Sequence, residues 1–127
     1  MFAATTILVT GTAPTTLYSP WMPRGGDYAR VVVEVMLASW NGDELVLDFQ
    51  PVHKNSDQTG NGSNASGGGT IGMDQLPAEH RFVYEVGAFK ELVRFKVAVT
   101  HSGASSAETN WVTFRVHTFN WFDQVRP

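Results

Sequence analysis

Four histidines, His53, His80, His101 and His117, are the side chains best suited to hold a metal ion or to move a proton near neutral pH. None lies two or four residues from another, the spacings that put two imidazoles on one side of a strand or a helix. Any shared site would have to be assembled by the fold, and separate histidines without a metal are expected. Carboxylates form no closer pair. Glu44 and Asp48 share one face of an extended segment, but about 13 Å between their Cα atoms is too far for either glycosidase geometry. No G-x-S-x-G elbow presents a serine nucleophile. The absence of cysteine removes thiolate zinc sites, disulfides and cysteine nucleophiles together. These residues predict a non-enzymatic protein with no catalytic residue, metal or cofactor.

Residues 55–72 carry three motif-like patterns that chemistry does not support. The run 67–72 matches G-x-G-x-x-G, but a dinucleotide site needs that run between a strand and a helix, where a phosphate meets a helix N-terminus. No helix is predicted there. Residues 57–62 resemble the first half of a calcium loop, yet Gly68 stands where the bidentate glutamate belongs. Asn61 and Asn64 begin glycosylation sequons that a Ser/Asn/Gly-rich composition produces by itself. The segment is predicted to be a flexible surface loop, longer than compact domains usually carry, and a candidate to order on a partner.

Aromatic residues carry the strongest functional signal. Trp111 falls on the outward side of its strand by parity, Trp40 sits at the end of another, and Phe119, Trp121 and Phe122 crowd the C-terminal tail, residues 119–127. Such rings either plug the end of a core, anchor a protein interface, or form a stacking platform for sugar rings. Arg94, Lys96, Arg115 and His117 point outward on two strands expected to pair, and would make a small basic stripe suited to an acidic surface.

The elements that must position these residues follow from period-two alternation. Leu45, Leu47 and Phe49 share a face; so do Val93, Phe95, Val97 and Val99; Val112, Phe114 and Val116; and Phe82, Tyr84 and Val86. Val31, Val33, Val35 and Leu37 form one apolar face of a strand whose other face is also largely apolar, as in a central strand. Asn41-Gly42 predicts a hairpin to the strand beginning at Glu44, and residues 102–106 a second hairpin. Pro and Gly break residues 11–27 into loop and a short edge strand near Leu17 and Tyr18, and residues 88–93 suit one helical turn. The expected fold is all-β, an antiparallel β-sandwich or jelly roll of seven to eight strands filling one domain, residues 1–127.

The chain of 127 residues has 43% hydrophobic and 17% charged residues, too apolar for a disordered protein and long enough for one core. Its net charge of −3 argues against general nucleic-acid binding. No apolar run approaches the roughly 20 residues that span a bilayer, so no membrane span is expected. The first ten residues lack the basic and apolar regions of a signal peptide, which predicts a soluble protein, cytoplasmic or assembled into a particle. The functional expectation is a non-catalytic structural or interaction module that packs with itself or into a larger assembly, such as a capsid or shell accessory protein. The alternative is a carbohydrate-binding module with an exposed tryptophan platform, and a glycan as ligand.

Overall fold

The computed structural model describes residues 2–9, 15–39, 45–72, 81–101 and 110–123. Among these residues eleven strands run in chain order: β1 (Phe2–Val9), β2 (Thr15–Tyr18), β3 (Met22–Pro23), β4 (Tyr28–Ser39), β5 (Leu45–Lys54), β6 (Ser63–Asn64), β7 (Gly69–Gly72), β8 (Arg81–Gly87), β9 (Leu92–His101), β10 (Asn110–Val116) and β11 (Asn120–Phe122). One sheet joins β1, β10, β4 and β8, with β11 continuing the line of β10 along β4. The other joins β2, β9 and β5, with β3 extending β2 along β9, and β6 and β7 on the far side of β5. The eleven antiparallel segments therefore fill eight strand positions in two packed sheets. This is the β-sandwich that the alternation predicts.

The inward faces are those expected. Val93, Phe95, Val97 and Val99 of β9 are buried, as are Leu45, Leu47 and Phe49 of β5 and Val112, Phe114 and Val116 of β10. β4, apolar on both sides, is the central strand of its sheet, flanked by β10 and β11 on one side and β8 on the other. Its parity changes at one point. A bulge sets Phe114 opposite Val35 but Thr113 opposite Leu37, so Met36 is the extra residue. Beyond it the faces swap: Ala38 packs against the core and Leu37, expected to be buried, is 64% exposed.

Strand partners differ from expectation. β4 and β5 lie in different sheets, as do β9 and β10, so neither the Asn41-Gly42 link nor residues 102–106 joins paired neighbours. Both links lie outside the described residues. Alternation reports which side of a strand is apolar, and two strands facing each other across a core satisfy it as well as two strands side by side. The same is true of β8 and β9, whose link makes no helical turn. Instead the Phe89 N–H donates to the Asp27 carbonyl (2.8 Å), and β9 begins at Leu92.

Residues 55–72 are seated on the fold rather than looped away from it. β6 pairs with Val52 and His53, and β7 pairs with residues 46–49 of β5. Between them the chain crosses to the opposite sheet, where the Ser66 carbonyl accepts from the Gly87 N–H (3.0 Å). Glycine is needed here because backbones nearly touch. A Cβ on Gly67 would strike the Glu85 carbonyl, one on Gly68 the Phe49 carbonyl, and one on Gly69 the Tyr84 ring. Composition alone gives the same glycines the look of a linker.

Gly60 and Gly68 separate the two roles of glycine. Both have positive φ, +97° and +94°, but nothing lies within 4 Å of a Cβ on Gly60. Gly60→Ala should cost only the left-handed strain, about 1–2 kcal/mol. Gly68→Ala should cost a further ~1–3 kcal/mol from overpacking against β5. Urea unfolding of the two variants checks this; equal losses would mean that the segment is not seated as described.

Candidate functional site

The outer face of the five-stranded sheet brings Trp111 together with Leu37, which alternation alone places on the inward side. Across three strands, Leu8, Trp111 and Ser39 form one row, and Thr6, Thr113 and Leu37 the next. Trp111 is half-buried in this face, Leu8 is 61% and Leu37 64% exposed, and Met36 lies beside them at the bulge. The Thr6 and Thr113 hydroxyls are hydrogen-bonded at 2.7 Å. Neither row contains a charge. Leu37 reaches this face only because of the bulge, for which the sequence carries no local signal. Trp40 lies outside the described residues.

The C-terminal aromatics are drawn inward. Three residues, 117–119, separate β10 from β11 opposite only Val31 and Val32 of β4, and the surplus turns Phe119 into the core. Its ring stands 6.2 Å from Phe95 and 5.4 Å from Trp121. Trp121 is half-buried against Phe89, at 5.6 Å, and its indole lies on Gly25, where a Cβ would not fit. Phe122 faces outward and stacks on Tyr28 at 5.8 Å. A cleft of about 260 Å³ remains at this edge, lined by Ser19, Trp21, Met22, His117, Phe119 and Trp121 among others.

The basic stripe does not form, because β9 and β10 belong to opposite sheets. Arg94 and Lys96 lie on one outer face, Arg115 and His117 on the other. The Arg94 guanidinium covers the Tyr18 ring at 4.3 Å and the Trp21 ring at 4.4 Å, and Lys54 sits 4.6 Å from Trp21. Lys96 borders a polar hollow of about 250 Å³ with Asp48, Gln50, Asn64 and Thr70. Arg115 Nε and His117 Nε2 both donate to Glu34 Oε1, each at 2.9 Å. The His117 hydrogen bond, then that of Arg115, holds the Glu34 carboxyl below its ordinary range against a smaller opposing effect of burial. Three of the four residues expected to meet a partner, Arg94, Arg115 and His117, thus have partners within the fold.

The other described histidines are likewise separate. His53 Nδ1 accepts from the Lys90 N–H at 3.2 Å, and its ring meets Phe89 edge-on at 6.4 Å. Burial first, and then the Lys90 charge, lower its pKa, while a hydrogen bond to the Ala88 backbone opposes them. His101 is buried, with Nδ1 3.5 Å from the Asn110 amide nitrogen. His80 lies outside the described residues. Among the described residues, no three histidines or carboxylates gather in a metal-binding group, and no helix is long and apolar enough to cross a membrane. No protein-family model, curated protein or solved structure matches the chain.

Two outcomes follow from these placements. Phe119→Ala should cost about 3–5 kcal/mol, the range for removing a buried ring, and cutting the chain after Thr118 should lower the melting temperature steeply. A truncated protein with the full-length melting temperature would show that the tail does not close the core. His53 is favoured neutral in the fold, so the unfolded chain protonates first as the pH falls below the ordinary value of 6.5. Stability present above that pH should decline below it, until the lowered folded pKa is passed. Replacing His53 by Gln should flatten that part of the melting-temperature profile; an unchanged slope would assign it to another group.

Proposed function

We propose that the protein is a non-catalytic interaction module that assembles with its own copies through the outer face of the five-stranded sheet. The observation that carries this reading is the apolar cluster of Leu8, Met36 and Leu37 around Trp111. Burial of the core does not require these residues to be apolar, since they lie on the opposite side of the sheet. A contiguous uncharged patch with an aromatic centre has the composition of an interface core, where aromatic residues and methionine are enriched and charges are depleted. Packing of two such faces would remove this patch from water, and an accessory component of a capsid or another repeating shell is the kind of role it fits. That last step rests on fold-level analogy.

Light scattering on the full chain tests the proposal. The wild-type protein should be a dimer or a larger particle, and Leu37→Lys and Trp111→Ser should each shift it towards monomer. Leu37 is 64% exposed, so Leu37→Lys should change stability by no more than about 0.5 kcal/mol, as an ordinary surface substitution does. A wild-type protein that stays monomeric across the concentration range would overturn the reading. So would particles of unchanged size in both variants.

A further inference from the structure

At the start of β4, two rows of residues cross three strands on the outer face of the five-stranded sheet. Gly87, Tyr28 and Phe122 form one row, and Glu85, Arg30 and Asn120 the next. Ala29 and Val31, between and beside them on β4, are buried, which fixes both rows on the outward side. A broad hollow of about 800 Å³ opens there and is lined by all six, within the ~300–1,000 Å³ usual for small-molecule sites. The stacked rings of Tyr28 and Phe122 give it an apolar wall. Gly87 adds no side chain beside Tyr28, and a Cβ there would strike the Asp27 carbonyl and the Tyr28 ring. The second row is polar. Arg30 Nη2 donates to Glu85 Oε1 at 2.6 Å, yet the two side chains are 56% and 64% exposed. That single contact leaves further guanidinium N–H groups and the second carboxylate oxygen with hydrogen-bonding capacity at the hollow. Asn120 adds an exposed amide, both donor and acceptor.

We propose that this hollow binds a neutral pyranose ring, its C–H face packed on the Tyr28–Phe122 pair and its hydroxyls on Arg30, Glu85 and Asn120. An apolar wall beside a row of hydrogen-bonding groups matches a ligand with one apolar and one polar side, as a glucose or galactose unit has. Each sugar hydroxyl both donates and accepts. A guanidinium, a carboxylate and an amide set side by side can therefore serve adjacent hydroxyls together. The charges of Arg30 and Glu85 are already matched to one another. An ionic ligand would be repelled by one as it gained attraction from the other, whereas a neutral one uses their remaining capacity and leaves the pair intact. A purely aromatic ligand would satisfy the two rings and leave the polar row unused. The hollow is also separate from the assembly face, since Leu37 lies roughly 30 Å further along β4 than Tyr28.

Titration of the isotope-labelled full chain with cellobiose and with lactose, followed by amide chemical shifts, tests the assignment. At least one of these neutral disaccharides should bind with a dissociation constant in the millimolar range. The Gly87 backbone amide and the Asn120 side-chain amide should be among the signals that move. Phe122→Ala removes half of the apolar wall and should weaken binding about tenfold. Asn120→Ala removes one hydrogen-bonding group and should weaken it about threefold to tenfold. Asn120 is exposed, so that variant should keep the wild-type melting temperature, and it decides the matter even if Phe122→Ala does not fold. Lys96→Ala, in the polar hollow on the opposite outer face, should bind both sugars like wild type. Failure of both sugars to bind would overturn the inference. So would binding unchanged in Asn120→Ala, or binding lost in Lys96→Ala.

Discussion

A row of touching rings holds the two sheets to one another and sets much else in the structure. From Tyr84 on β8 it passes to Phe49, Phe95, Phe119, Trp121, Phe89 and His53, with successive centroids 5.7, 5.6, 6.2, 5.4, 5.6 and 6.4 Å apart. Aromatic pairs in such geometries contribute about 0.5–1.5 kcal/mol each beyond the burial of their area. The row begins in one sheet, crosses into the other and returns, so it cannot form until the strands are correctly layered. It also dictates small residues at its flanks. Gly69 makes room for the Tyr84 ring, and Gly25 for the Trp121 indole.

Closure of the sandwich follows from the same row. A two-sheet stack leaves its edges open, and among the described residues two openings are covered by segments outside the long strands. Residues 65–69 cross from β5 to β8 on one side, while Phe119 and Trp121 fold inward on the other. Glycine does the first job because main chains must nearly touch. Bulky rings do the second because a gap remains where β10 breaks off.

Facing was legible in the sequence and partnership was not. Strict alternation in β5, β9 and β10 identifies the buried residues one by one, since a side chain's side of a strand is a local property. Which strand lies next to which is decided by the whole core. The Asn41-Gly42 signal therefore misleads, and Arg94 and Lys96 end on the opposite outer face from Arg115 and His117. Leu37 escapes for a different reason: one extra residue at Met36 reverses the parity of everything after it, and nothing in residue type marks the bulge. Trp111 lies before any such irregularity in its own strand, and its outward position is where parity puts it.

The fate of the polar side chains bears on what this surface can do. His53 takes a backbone N–H, His101 lies beside Asn110 within the core, and His117 shares Glu34 with Arg115. Each of these rings has a structural partner, and Arg94 is laid over Tyr18 and Trp21 instead of projecting into solvent. Arg94, Arg115 and His117 are in this way engaged within the fold. The outer face of the five-stranded sheet retains apolar area around Trp111, with Leu8 and Leu37 both more than half exposed. In the proposed reading this patch serves association between copies, because its apolar area is removed from water only when a second surface is brought to it.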